Sequence, residues 1–226
     1  MVPSFSHRTH AGEVLARSLS HYAGQPDVTV LAIPNGGIPI AFEVACSLST
    51  PLDLFLYEPI IVPERDATVG LLGWPPVQHL HEPVINAMGI TDEGLRHATA
   101  QSWRRLRQRV HSLRPPALPP FISARRVILV NEGVVTGQLF REAAGLLRRA
   151  GARELIAAAP VGSREGLFLL ASDFDDIVCP HQPDGVEALH PFYEDFRPVT
   201  ADEVRALLLR AWRDWGSLDT SPLGAT

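Results

Sequence analysis

Val127-Ile-Leu-Val130, followed by Asn131-Glu132-Gly133-Val134-Val135-Thr136-Gly137 and then the segment from Gln138 to Ala150, decides the reading of this chain. Four apolar residues, three of them β-branched, read as a buried strand. The polar, glycine-bearing turn interrupts them, and the leucines and alanines beyond it recur at helical spacing. Strand, short turn and helix in that order make an anion-binding geometry. Backbone N–H groups converge at the helix N-terminus, and the helix dipole favours a negative charge there by a few tenths to about 1 kcal/mol.

The flanking sequence repeats the pattern. Val28 to Ile33 is a short β-rich run, Pro34-Asn35-Gly36-Gly37 breaks it, and Ile38 to Leu48 has helical spacing. Leu52 to Tyr57 then reads as another buried strand, completing a β-α-β unit that requires a parallel sheet. Downstream, Glu154 to Ala159 and Asp176 to Cys179 read as strands around a short helix over Arg164 to Ala171. The predicted fold is therefore α/β, a parallel-sheet core flanked by helices, with functional loops at the carboxyl ends of the strands. Arg8 to Tyr22 is a docking helix ending at Gly24, and Ala201 to Trp215 a closing amphipathic helix.

Two regions depart from this alternation. Residues 58–90 carry five prolines and no sustained period, and Leu71-Leu72-Gly73-Trp74 with Val77-Gln78-His79-Leu80 read as two antiparallel strands of a flap. Thr91 or Asp92 then caps a long helix to Leu113, with Leu95, Trp103, Leu106 and Val110 inward. Residues 180–197 lack regular spacing but hold Phe192, Tyr193 and Phe196, and read as a small hood. The predicted organisation is one domain over 1–215 with a frayed tail at 216–226.

Composition bounds the function. The chain has 226 residues, enough for one sizeable α/β core, and its hydrophobic fraction of 46% with 20% charged residues is that of an ordinary globular protein. A net charge of −5 argues against a nucleic-acid surface, which needs a basic field. No apolar run reaches the roughly 20 residues of a membrane span, and the start lacks a signal-peptide pattern, so no membrane association and a cytoplasmic location are expected. All 20 basic residues are arginines; any role for a cationic side chain falls to arginine. Four of them, Arg104, Arg105, Arg107 and Arg109, read as the exposed face of the long helix. Cys46 and Cys179 read as free thiols, His79-Leu80-His81-Glu82 as an exposed flap, and Asp173, Asp175 and Asp176 as a turn.

Taken together, these loops resemble the type I phosphoribosyltransferase family, more closely its bacterial phosphoribosyltransferase-like domains with a Pro-Arg-Gly-Gly loop. The resemblance spans Arg8 to Leu209. It implies that Asn131 and Glu132 take the catalytic acidic positions that meet the ribose hydroxyls. It likewise implies that Gly133, Val134, Val135, Thr136 and Gly137 bind the ribose and 5-phosphate, and that Asn35, Gly36 and Gly37 bind pyrophosphate through a strained peptide and backbone amides. From the stretch Phe192-Tyr193-Glu194-Asp195-Phe196, similar to the family's W-Y-x-D-F, Tyr193 and Asp195 are carried over as base-binding residues. A phosphosugar or nucleotide ligand, Mg²⁺ in an active enzyme with no direct metal ligand assigned, and a homo-oligomer are implied as well.

Four departures from the family pattern weaken the site. Asn131 replaces an acidic residue and supplies no charge. Leu139 stands where a threonine hydroxyl would bond the phosphate; one hydrogen bond to a charged group is worth about 1.5–3 kcal/mol, or roughly ten- to a hundredfold in affinity. On the pyrophosphate side, Asn35 replaces an arginine and Glu58-Pro59 a basic pair. Two readings follow: a phosphoribosyltransferase with weakened ligand binding, or an inactive module that binds a phosphorylated metabolite.

Overall fold

The computed structural model describes residues 4–117, 120 and 122–215, so the tail expected at 216–226 lies outside the described residues. Fifteen helices and strands follow one another as α1 (Arg8–Ser18), β1 (Val28–Ala32), α2 (Gly37–Leu48), β2 (Leu52–Leu54), β3 (Leu56–Val62), β4 (Ala67–Trp74), β5 (Val77–Leu80), α3 (Glu82–Ala87), α4 (Asp92–Leu113), β6 (Arg126–Val130), α5 (Gln138–Arg149), β7 (Glu154–Ala158), α6 (Arg164–Leu170), β8 (Asp176–Val178) and α7 (Ala201–Trp215). Five strands form one all-parallel sheet in the order β2-β1-β6-β7-β8. The expected α/β core, a parallel sheet flanked by helices, is what the chain forms.

The central strands are apolar throughout because both faces are covered. Alternate residues go to opposite sides: Val127 and Leu129 of β6 join the packing of α5 and α6, whereas Ile128 and Val130 join that of α1, α2 and α7. β7 divides in the same way, Leu155 and Ala157 against Ile156 and Ala158. On α5 the buried set Phe140, Ala143, Ala144 and Leu147 recurs at three- and four-residue spacing, one stripe laid on the sheet.

The run Leu52 to Tyr57, expected as one strand, is two. β2 ends at Leu54 after three residues paired to β1, and the chain turns at Phe55 into β3, which pairs antiparallel with β4. The apolar pattern is continuous across the break because Leu54, Phe55 and Leu56 are all buried, Phe55 on the opposite side from its neighbours. Strands β4 and β5 pair antiparallel through Gly70–Leu80 to Gly73–Val77, and β3 is the third strand of this small sheet. Helix α4 packs on β3 and β4, capped by the Thr91 hydroxyl, which accepts from the Gly94 amide at 3.2 Å.

Where α4 ends, Arg114 clamps three layers. Its Nε and Nη2 donate to the two oxygens of Asp53 on β2 at 2.8 and 2.7 Å, its Nη1 to the Ala117 carbonyl, and its guanidinium lies 4.9 Å from the Trp212 ring centre on α7. Both partners are buried. Burial raises the Asp53 carboxyl above its ordinary range, and the Arg114 fork pulls it the other way. The thiols of Cys46 and Cys179 are free, and burial pushes them up to about 11 and about 12, which keeps them protonated. Among the described residues, no helix is long and apolar enough to cross a membrane.

Arg114→Met strands the Asp53 carboxylate in the core and is expected to cost about 3–5 kcal/mol in urea denaturation. The double variant Asp53→Leu, Arg114→Met, which buries no charge, is expected to recover most of that loss.

Candidate functional site

The parallel sheet delivers two loops to the same edge. β1 and β6 are neighbours in register, from Val28 opposite Arg126 to Ala32 opposite Val130, so the loops that leave their carboxyl ends face each other. The first is Pro34-Asn35-Gly36, whose Pro34–Asn35 peptide is cis. The second runs from Asn131 to Gly137.

Their approach is close enough to fix a residue type. A Cβ on Gly36 would lie 1.5 Å from Oε2 of Glu132, so only glycine admits the carboxylate at this point. That carboxylate is held in turn by Arg8 at the start of α1, with Nε donating to Oε2 at 2.9 Å. Arg8 is buried; its Nη1 donates to the Arg197 carbonyl, and its guanidinium lies 4.1 Å from the centre of the Phe196 ring. One arginine thus joins α1, the β6 loop and the hood.

The rest of the second loop is braced from outside, leaving its own amides available. The Val134 amide donates to the Val161 carbonyl at 2.9 Å, while the Ser163 amide and hydroxyl donate to the carbonyls of Val134 and Val135. Gly133 is buried beneath Leu189 of the hood. Gly137 has φ +75°, a left-handed turn that glycine takes without steric cost, and it caps α5. Among the described residues, the amides of Val135, Thr136 and Gly137 donate to no acceptor in the chain. The Thr136 side chain is exposed, with its hydroxyl 3.4 Å from the Gln138 amide. Three unpartnered N–H groups and a hydroxyl at a helix N-terminus are suited to a phosphate.

On the facing loop, the amides of Asn35 and Gly36 are likewise unpartnered among the described residues, whereas Gly37 opens α2 with its amide on Ile33. The Asn35 side chain turns away from the β6 loop and donates to the Val199 carbonyl at 2.9 Å. Asn131 is half-buried, with its amide on Ala158. Leu139 packs its side chain toward the α5 core.

The two hood residues part company. Tyr193 is 4% exposed, with its ring between Phe5 and Phe196 and its hydroxyl donating to the Glu132 carbonyl at 2.6 Å. Burial raises its pKa far above the ordinary range, so the hydroxyl stays a donor. It braces the acidic loop from beneath. Asp195 is exposed and lines a cavity of about 350 Å³ with Arg8, Pro39, Arg197, Val199 and Glu203. A second cleft, of about 240 Å³, lies between Ile33, Pro34, Tyr57, Arg109 and Leu139, at the carboxyl ends of β1 and β2. Among the described residues no group of three histidines, cysteines or carboxylates gathers as a metal site. Arg8 and Arg109 carry no sequence signal for these positions; the first opens a plain amphipathic helix and the second sits in a row of arginines.

No family model matches the chain. It is 30% identical over 221 residues to two Mycobacterium tuberculosis proteins, from strains CDC 1551 and H37Rv, each named a "putative phosphoribosyl transferase"; the match covers 96% of this chain and 50% of theirs. The chain therefore spans about half the length of these curated relatives. Among solved structures it is similar to TT1426 from Thermus thermophilus, at 30% identity and a TM-score of 0.75, covering 93% of this chain and 99% of that one.

The Gly36–Glu132 contact can be measured. Gly36→Ala is expected to lower stability by about 1–3 kcal/mol through overpacking, and the cost should shrink in a Glu132→Ala background. A double-mutant cycle in denaturant with equal costs in both backgrounds would show that the two loops do not touch.

Proposed function

We propose that this chain, which belongs to the type I phosphoribosyltransferase-like family, binds phosphoribosyl pyrophosphate or a nucleotide across its two facing loops and transfers phosphoribose to a nucleobase-like acceptor. The observation that carries this reading is the set of unpartnered amides at Val135, Thr136 and Gly137, placed opposite those of Asn35 and Gly36. In it, the α5 end of the loop and the Thr136 hydroxyl hold the 5-phosphate. Asn131 and Glu132 meet the ribose hydroxyls, and the Asn35–Gly37 loop receives the pyrophosphate. Asp195 meets the acceptor base in the cavity beneath the hood, and Tyr193 holds the loop that faces it.

The chemistry asked of these residues is to stabilise positive charge on the ribose as pyrophosphate leaves. Glu132 offers the only carboxylate of the acidic pair. Magnesium supplies charge neutralisation to the departing oxygens when bound. The donor set here, one carboxylate paired with Arg8 beside a neutral amide, fits a cation that arrives on the ligand's own phosphates rather than one caged by protein.

A second reading is favoured by that same pairing. Arg8 neutralises Glu132, and Asn131 adds no charge, so the loop can hold a phosphoribosyl group while doing little for its transition state. The chain would then be a binding module that senses a phosphorylated metabolite.

Calorimetry with phosphoribosyl pyrophosphate and Mg²⁺ is expected to show saturable binding. Pyrophosphate release across a screen of nucleobases supports transfer, whereas binding without release supports the module. Absence of heat at millimolar ligand overturns both. Asn131→Asp combined with Leu139→Thr is expected to tighten phosphoribosyl pyrophosphate binding by about tenfold or more, by restoring a charge and a phosphate hydrogen bond; unchanged affinity would place the ligand elsewhere.

A further inference from the structure

The sequence removes positive charge from the pyrophosphate side of the site at Asn35 and at Glu58-Pro59, yet the fold returns some of it from a distant helix. We propose that Arg109 of α4 is the cation that receives the pyrophosphate group in the cleft beside the Pro34–Gly36 loop. This rests on the phosphoribosyl reading of the two loops and adds a residue to it.

Position is the first argument. Arg109 lines the cleft of about 240 Å³ together with Pro34 of the first loop, Leu139 in the first turn of α5 and Tyr57, where β3 begins. Pro34 is the first residue of the loop that the phosphoribosyl reading gives to pyrophosphate. The second argument is charge. Glu58 has a side chain only 13% exposed, and two arginines of α4 bracket it: Arg105 Nε at 2.5 Å from Oε1 and Arg109 Nη1 at 3.8 Å from Oε2. Two guanidinium groups thus face the one Glu58 carboxylate, and the second carboxylate that acts on Tyr57 at this cleft, Glu142, is hydrogen-bonded to the Tyr57 hydroxyl.

The third argument is which N–H groups are spent. Arg105 is committed to Glu58 and to the Ser102 hydroxyl. Arg109 is anchored by one nitrogen only, Nη1 donating to the Tyr57 carbonyl at 3.0 Å, and its Nε and Nη2 have no acceptor among the described residues. Its side chain is 47% exposed. A guanidinium fixed at one corner and open along an edge is suited to two parallel hydrogen bonds with a phosphate. Arg104 and Arg107 of the same row line a different groove with Trp103 and Gln78, so the row that reads as one exposed face serves two places.

The test titrates the full chain by calorimetry with magnesium pyrophosphate and separately with ribose 5-phosphate. Arg109→Met is expected to weaken pyrophosphate about ten- to a hundredfold and to leave ribose 5-phosphate within about twofold. Arg109→Lys, which keeps the charge and loses the fork, should fall between. Arg107→Met is the control for the general field and should change neither. Far-UV circular dichroism of each variant verifies the fold. Equal pyrophosphate affinity in Arg109→Met and the parent, with both ligands binding the parent, overturns the role of Arg109 and leaves the phosphoribosyl reading intact. An equal loss in Arg107→Met overturns it as well. A parent chain that binds neither ligand overturns the phosphoribosyl reading and this inference together.

Discussion

The carboxylate of Glu132 lies against Gly36 and accepts from Nε of Arg8, and the site is organised by that contact. It joins the loop after β6 to the loop after β1 and, through Arg8, to the first helix and the hood. An ion pair with little exposure contributes less to net stability than its Coulomb energy suggests, because desolvation offsets most of the attraction. Its larger effect is on geometry. With the pair in place, the β6 loop cannot swing from the β1 loop without leaving Arg8 unpaired under Phe196. Tyr193 adds to this from below, so the hood's aromatic residues support the acidic loop through its backbone.

That arrangement sets the electrostatics of the cleft. The chain has no lysine, and the arginines Arg8, Arg105 and Arg114 are each matched to a carboxylate. The loop before α5 offers backbone instead: three unpartnered amides and a helix terminus whose partial charges need no side chain. Such a cradle tolerates sequence change at Val134 and Val135, whose side chains do not provide the donors, better than at Gly137, where the left-handed turn aims α5.

The fold was legible where pattern and burial coincide. The β6 strand, its turn and α5, the β1-loop-α2 unit and the long α4 helix follow from apolar runs and helical spacing, and the strands flanking Pro75-Pro76 from short apolar runs on either side of the prolines. The break at Phe55 was not, since a strand that changes sheets while remaining buried leaves no polar mark on the sequence. Within the site, the two loops could be placed by their glycines, but the side chains that govern them could not. Arg8 reaches Glu132 across 124 positions, and Arg109 reaches the Tyr57 carbonyl across 52. Nothing local distinguishes either from a solvated arginine. Tyr193 shows the converse case: its motif context suggested a surface for a base, and burial against Phe5 and Phe196 instead gives it a bracing position.

Each departure of the loops from the family pattern therefore has to be weighed with its spatial neighbours. In the loop after β6, the loss of one acidic residue to Asn131 is compounded, because the remaining Glu132 is paired with Arg8. Glu58, the acid that stands where the family pattern has a base, is bracketed by two arginines of α4. The same device, an arginine from a remote helix against a glutamate at the sheet's carboxyl edge, offsets negative charge at both places. On the proposed phosphoribosyl reading, the pairing of Glu132 with Arg8 bears on turnover and the arginines beside Glu58 bear on binding. A chain that retains the cradle while losing half of its acidic pair would be expected to differ from its family first in rate and only second in affinity.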